Sequence, residues 1–308
     1  MNIVILDAGT LGDFDLVGLP PETQVFQDTS ESQVVERCLN AEVIITNKVK
    51  FTSDILERLP KLKAFVILAT GVDNLDLRAC KERNIKVLNA KGYSTDSVIS
   101  LTFSMVFYFL IDLPYYQNFT QNRSWIEHNF FSHYKNFHQL SSRVWTIIGL
   151  GTIGEKVARI ASSFGCQVQY VSTSGKNHRD DFIQVSLDEA MSSSDIITIH
   201  APLNEQTENL IRKSHLESLK EDCIFLNLGR GGIINEDDLA NFLDKDTNIK
   251  IGLDVLSSEP MKKDSSLVRH LNHKNFLITP HVAWASKESR ENLWKMTLEN
   301  INKVLEDN

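Results

Sequence analysis

The chain has 308 residues, enough to bury a sizeable core and, at usual domain sizes, to form about two domains. A net charge of −8 argues against nucleic acid or an anionic membrane surface as the main partner, because both reward a basic face. Cys38, Cys80, Cys166 and Cys223 lie far apart with no C-x-x-C spacing, and fit reduced, buried thiols better than a disulfide framework or a zinc site.

In chain order, "MNIVILDAGT" lacks the basic start and long apolar stretch of a signal peptide and reads as a first buried strand, so a cytoplasmic location is expected. "IVILD" (3–7), "EVIIT" (42–46), "AFVIL" (64–68) and "IKVLN" (85–89) are short apolar runs alternating with amphipathic stretches, the pattern of a parallel sheet covered by helices. One helix starts at Ser30, where S-E-S-Q matches a capping box. "SVISLTFSMVFYFLI" (97–111) is uncharged but falls short of the roughly 18 apolar residues of a membrane span, so it reads as a buried core or interface helix. The polar-aromatic stretch 115–140 shows little periodicity.

A second series follows: "VWTIIG" (144–149), "QVQYV" (167–171), "IITIH" (196–200), "IFLNL" (224–228), "IGLDV" (251–255) and "FLITP" (276–280). Six strands around a glycine-rich loop is the number a full dinucleotide-binding sheet requires. The last segment, 286–307, is a long amphipathic helix with apolar Leu293, Met296, Leu298, Ile301 and Leu305. The coarse fold class is α/β, in two parallel-sheet units.

The loop "GLGTIG" matches Gly-x-Gly-x-x-Gly and joins a strand to a helical stretch. Gly149 can make the sharp turn, Gly151 lets a pyrophosphate approach the backbone, and Gly154 lets helix and strand pack closely. Thr152 and Ile153 open the helix, whose N–H groups and dipole favour phosphate. A plain strand-to-helix turn is the alternative. An NAD site needs an acid about 20 residues further on to hold the ribose 2′-hydroxyl. The chain has "STSGK" there: Ser172, Thr173, Ser174, Gly175 and Lys176.

Three stretches at strand ends carry candidate chemistry. In "NLGRGGIINEDDL", Arg230 sits among glycines, where a guanidinium can pair bidentately with a carboxylate. "GLDVLSSEP" offers Asp254 and Glu259, and "TPHVAWAS" offers His281. A carboxylate beside the histidine would favour the imidazolium and make a proton donor. Singly, an Arg is usually a solvated surface residue and a His usually structural.

Together with "HAPLNEQTENLI" (200–211) and "ATGVDNLDL" (69–77), these motifs run in the order of the D-isomer-specific 2-hydroxyacid dehydrogenases, which the chain resembles over nearly its whole length. "TPHVAWAS" and "TNKV" (46–49) most resemble glycerate dehydrogenases, also called hydroxypyruvate reductases. The resemblance implies two Rossmann-like or flavodoxin-like domains with a cleft between them. The substrate domain would be discontinuous, 1–98 plus 286–308, and the dinucleotide-binding domain would be 99–285. It implies a homodimer and transfer of hydride between NAD(P)H and a small 2-keto acid, giving a D-2-hydroxy acid. Arg230 would bind the substrate, His281 would protonate the carbonyl oxygen, and Glu259 would partner it. Gly71, Val72, Asn47 and Trp284 would line the substrate site. Thr95, His200, Pro202, Thr207 and Asp254 would lie along the cofactor, with Asp254 at the carboxamide. No metal is implied. The chain departs from the family pattern at Ile99-Ser100 and at Ser142, where a glycine is common.

In that pattern the ribose acid falls at Ser172. Its absence removes a charge that would repel a 2′-phosphate, the three hydroxyls offer donors, and Lys176, with Arg179 as a second candidate, offers positive charge. The substitution points to NADP, with NAD bound through the rest of the site as the alternative. Pyruvate, a bulkier 2-keto acid and formate are alternative substrates. A nucleotide-sensing, corepressor-like binding protein is the alternative of another class.

Overall fold

The structure is a computed structural model that describes residues 1–127, 137–245 and 247–306. The chain divides into two units, Met1–Ser94 with Trp284–Asn308, and Thr95–Ala283. The sequence put these boundaries at 98/99 and 285/286. They shift because the helix Thr95–Ile111 belongs from its first turn to the second unit, where Val98, Thr102, Phe103, Val106 and Phe109 are buried.

The first unit holds five strands: β1 (Ile3–Ile5), β2 (Gln24–Val25), β3 (Val43–Thr46), β4 (Ala64–Ile67) and β5 (Lys86–Asn89). All pair in parallel, in the order β2-β1-β3-β4-β5. The central strands read as unbroken apolar runs because both faces are covered. Val4, Ile44, Phe65 and Ile67 pack with Phe51 on one face. Ile3, Ile5, Val43, Ile45 and Val66 pack on the other against Leu293, Trp294, Ile301 and Val304 of the helix Lys287–Glu306. Leu305, expected on the apolar stripe, is instead exposed, because the row Leu293, Thr297, Ile301, Val304 follows the face that meets the sheet.

The second unit holds seven strands: β6 (Val144–Ile148), β7 (Gln167–Val171), β8 (Ile183–Gln184), β9 (Ile196–Ile199), β10 (Ile224–Asn227), β11 (Lys250–Leu253) and β12 (Phe276–Ile278). Their order is β12-β11-β10-β9-β6-β7-β8, again all parallel. The chain runs outward from β6 through β7 to β8, then crosses back to β9. The C-terminal ends of β6 and β9 therefore flank the point where strand order reverses, where open α/β sheets bind ligands. In the first unit the corresponding point lies between β1 and β3.

The stretch 115–140 is more regular than its sequence suggests. Helices span Leu113–Gln121 and Ser124–Glu127, and residues 128–136 lie outside the described part. Asp112, with φ 56°, accepts the Tyr115 N–H at 3.3 Å and so caps a helix that has a proline in its first turn. Ser142 has φ 67°, in the left-handed region that suits the glycine it replaces. Among the described residues, no single helix is long and apolar enough to cross a membrane. All four cysteines are buried. Burial pushes the Cys38 thiol up to about 12 and Cys166 up to about 11, and raises Cys80 and Cys223 too, so they stay protonated.

Candidate functional site

In the second unit β6 runs directly into Gly149, whose φ of 93° makes the turn. A Cβ there would lie 2.8 Å from the Ala201 nitrogen, so only glycine lets the loops after β6 and β9 meet. Gly154 sits in the first turn of the helix Thr152–Ser163, and a Cβ on it would come 2.2 Å from the Gly149 carbonyl oxygen. Helix and strand thus touch backbone to backbone. Gly151 is different: nothing lies within 4 Å of its would-be Cβ. As N-cap it gives the helix no side-chain acceptor, so the first-turn N–H groups of Thr152 and Ile153 have no acceptor among the described residues, with the helix dipole behind them.

The turn after β7 borders a cavity of about 370 Å³. Val171, Val185, Leu187 and Leu210 make it largely apolar, and Ser172 and Thr173 add hydroxyls at its wall. Ser172 Oγ accepts the Gly175 N–H at 3.0 Å and Ser174 Oγ accepts the Lys176 N–H at 3.2 Å, so each hydroxyl still has its proton to donate. The Lys176 side chain is exposed. Arg179, the second cation expected here, is held by Glu155 at 2.7 Å. Glu155 also pairs with Arg159 at 2.9 Å, and the Arg179 and Arg159 guanidinium groups hold its carboxyl below the usual range.

His200 follows β9. Its ring nitrogens are shut off from solvent and have no hydrogen-bond partner among the described residues, although part of the residue remains accessible. Burial pushes its pKa down to about 3, so the ring is neutral and carries one N–H with no acceptor. Thr207, expected beside the cofactor, is fully buried and spends its hydroxyl on the Pro202 carbonyl at 2.7 Å and the Asn204 N–H at 2.8 Å. Pro202 and Thr207 therefore brace the loop after β9. Thr95 begins its helix and is buried.

Arg230, Glu259 and His281 all lie in loops beyond strand ends of this unit. Asn227, which the sequence reading passed over, ends β10 with both ends of its amide bonded: Nδ2 donates to the Arg230 carbonyl at 2.9 Å and Oδ1 accepts the Gly229 N–H at 3.0 Å. A Cβ on Gly231 would overlap the Leu256 carbonyl at 1.9 Å, so the Arg230 loop packs on the segment that leads to Glu259. Glu259 Oε1 accepts the Leu256 N–H at 3.1 Å, and Glu259 Oε2 meets His281 Nδ1 at 2.6 Å. That contact fixes Nδ1 as the donor to the carboxylate and leaves Nε2 on the opposite side of the ring.

His281 has φ 53°, an unfavourable backbone for a side chain of its size. Asp254 holds it there. Its carboxylate accepts from Thr279 Oγ1 at 2.6 Å and from the N–H groups of Val282 and Ala283, each at 2.9 Å. Burial nonetheless raises the Asp254 pKa against these bonds.

The first unit carries the other candidates. The N–H groups of Gly71 and Val72, after β4, have no backbone or side-chain acceptor among the described residues. Trp284 packs edge to face on Tyr93, with ring centroids 6.3 Å apart. Asn47 follows β3. Its N–H donates to Asp7 at 2.9 Å, beside the Lys48 N–H at 2.6 Å and Thr46 Oγ1 at 3.1 Å. Asp7 was missed from sequence; its only signal was an acid ending the apolar run "IVILD".

A family model described as "D-isomer specific 2-hydroxyacid dehydrogenase, NAD binding domain" matches residues 103–283. The chain is 32% identical over 317 residues to a hydroxypyruvate reductase of Blautia hydrogenotrophica, an alignment covering 99% of this chain and 97% of that one. It is 31% identical over 301 residues to a glycerate dehydrogenase of Methylorubrum extorquens, covering 96% and 92%. Among solved structures, an acyclic imino acid reductase (Bsp5) in complex with NADPH and D-Arg superposes with a TM-score of 0.83 at 27% identity, covering 100% of this chain and 98% of that one.

The buried, neutral His200 sets a pH dependence. Its folded pKa of about 3 lies below the ordinary 6.5, so its stabilising contribution is full above pH 6.5 and is lost as pH falls from there towards 3. Asp7 and Asp254, both raised, act in the opposite sense but are common to wild type and variant. Thermal melts between pH 7 and 4.5 should therefore show Tm falling more steeply for wild type than for His200→Gln. Parallel slopes would mean that the imidazole protonates without cost in the fold.

Proposed function

The chain belongs to the D-isomer-specific 2-hydroxyacid dehydrogenases, and from that premise we propose that it reduces hydroxypyruvate or glyoxylate to D-glycerate or glycolate, with NADPH preferred over NADH. The observation that carries the reading is the His281–Glu259 contact of 2.6 Å, built on the segment against which the Arg230 loop packs. The names of the two relatives, one a hydroxypyruvate reductase and one a glycerate dehydrogenase, support the substrate.

The residues present fit a nicotinamide dinucleotide. The open face of Gly151 and the first-turn N–H groups suit a pyrophosphate, the apolar cavity beside Ser172 suits an adenine, and His200 has an N–H without an acceptor. When bound, the nicotinamide supplies the hydride to C2 of the keto acid. Everything else falls to the protein. The Arg230 guanidinium holds the substrate carboxylate and draws charge from the carbonyl. In the first unit, the N–H groups of Gly71 and Val72 are donors suited to a carboxylate. His281 Nε2 delivers the proton to the carbonyl oxygen, while Glu259 holds the ring through Nδ1. Asp254 keeps the His281 loop in place and has one lone pair left for the carboxamide. Thr95, at the start of its helix, lies along the cofactor.

The preference for NADPH rests on Ser172, where an acid would repel a 2′-phosphate. The hydroxyls of Ser172, Thr173 and Ser174 supply donors, and Lys176 supplies the charge. The protein acts as a homodimer. Exposed Leu113, Trp125 and Ile126, on and after the helix Leu113–Gln121, support that assembly. Light scattering should give the mass of two chains, and the mass of one chain would refute the dimer.

The direct test is the initial rate of hydroxypyruvate reduction with NADPH and with NADH, followed at the nicotinamide absorbance band. Turnover that favours NADPH is expected. Turnover of pyruvate or a bulkier keto acid but not of hydroxypyruvate would move the substrate assignment. Ser172→Asp should weaken NADPH more than NADH, and equal weakening would detach the turn from the 2′-position. His281→Ala should lose turnover by about 100-fold or more, the usual worth of a positioned acid, while cofactor binding persists. A variant with near-normal rates would remove His281 as the proton donor.

A further inference from the structure

The turn after β7 is tied at both ends to the glycine loop and its helix. At its start the Gly149 N–H donates to the Val171 carbonyl at 3.0 Å. At its far end Arg179 docks at 2.7 Å on Glu155, which lies in the first turn of the helix Thr152–Ser163. Ser172, Thr173, Ser174 and Lys176 therefore lie on a stretch of chain closed against the segment 149–155.

The second tie uses every nitrogen of the Arg179 guanidinium. Nε and Nη2 reach Glu155 Oε2 at 2.9 and 2.7 Å, and Nη1 donates to the His178 carbonyl at 2.8 Å. The other carboxylate oxygen is taken as well: Arg159 Nε and Nη2 donate to Glu155 Oε1 at 3.2 and 2.9 Å. Arg159 Nη1 lies 3.3 Å from Asp181 Oδ2. Two acids thus cancel two guanidinium groups, and the cluster presents no net charge to the turn.

Stapling the turn accounts for a tie but not for these partners. Ion pairs between partly exposed side chains add little to stability, and the backbone bond from Gly149 already anchors one end. What the carboxylate decides is the charge that the turn shows to a ligand. A guanidinium suits a phosphate well, because it offers paired N–H donors in one plane. Two of them are gathered at a turn where Ser172 leaves no acid to repel a 2′-phosphate, and Glu155 binds both. Without its charge the cluster would be net positive, and the Nε and Nη2 donors of Arg179 would be free.

Resting on the assignment of this loop to a nicotinamide dinucleotide, we propose that Glu155 is a specificity-determining residue for the cofactor. By holding Arg179 it withholds a guanidinium from a ribose 2′-phosphate and keeps NADH in use beside NADPH. Ser172 removes a repelling acid, and Glu155 limits how far that favours the phosphate.

The test is a double-mutant cycle of wild type, Glu155→Gln, Arg179→Ala and the double variant, with Kd for NADPH and for NADH read from nicotinamide fluorescence. Glu155→Gln keeps the size of the side chain and drops its charge. It should lower the ratio of the NADPH Kd to the NADH Kd by about threefold or more, the worth of one exposed charge contact. Adding Arg179→Ala should remove most of that gain, because the released guanidinium is gone. High salt should shrink it, since an exposed pair of charges is screened. Should Glu155→Gln fold poorly, Glu155→Ala repeats the test without the carboxylate. An unchanged ratio, an equal shift for both nucleotides (the result a mere staple predicts) or a gain that survives Arg179→Ala would overturn the proposal. Wild type that binds neither nucleotide would overturn the functional reading first, an outcome visible before any variant is made.

Discussion

A buried carboxylate at the end of one strand, bonded to the loop that leaves the next, is the interaction on which the candidate loops of each unit depend. Among the described residues it is found in both units, each taken by itself. Asp7 ends the run of β1 and takes the N–H groups of Asn47 and Lys48 after β3. Asp254 follows β11 and takes those of Val282 and Ala283 after β12. The physical need is the same in both. Parallel strands leave their C-terminal edge with backbone N–H groups that no further strand will pair, and loops there must satisfy them or expose them. A carboxylate can accept several at once and so turns an irregular loop into a fixed one. Holding the loops has a cost: burial raises the pKa of both acids despite the hydrogen bonds.

Glycine provides the second constraint, by removing side chains where backbone must meet backbone. Gly149 lies against Ala201, Gly154 against Gly149, and Gly231 against the Leu256 carbonyl. These contacts draw the loops after β6, β9, β10 and β11 together in the second unit. Arg230 depends on this twice. Gly231 lets its loop reach the segment that leads to Glu259, and Asn227 bonds both ends of the turn that carries it. Small shifts in such an arrangement matter because a reacting group about 1 Å out of place can lose about 100-fold in rate.

Much of this was readable from sequence, for physical reasons that also mark where reading stops. Strands covered on both faces must be apolar throughout, so β1, β3, β4 and the strands of the second sheet stood out, whereas β2 and β8, of two residues each and exposed, carried no such signal. The helix Leu113–Gln121 was hidden because it is capped by Asp112 in a left-handed conformation and has no buried residue to impose a period. Arg230, Glu259 and His281 were visible as unusual residue types at strand ends. Asp7 and Asn227 were not, since an Asp or Asn after an apolar run is ordinary. What makes Asp7 notable is a set of partners about 40 residues away, which spacing along the chain does not reveal.

The same limit applies to the turn after β7, where residue types alone suggested two cations for a 2′-phosphate. Arg179 is already spent: Glu155, on the helix that follows the glycine loop, holds it at 2.7 Å and Arg159 at 2.9 Å. A phosphate reaching Arg179 would have to displace that carboxylate or sit beside its charge, and either offsets what the guanidinium offers. Discrimination at this turn thus rests on what Ser172 leaves out, a repelling acid, and on hydroxyl donors and Lys176, more than on a cluster of positive charge. An exposed lysine is screened by solvent and salt and contributes modestly. A turn built this way leaves room for a 2′-phosphate without gripping one.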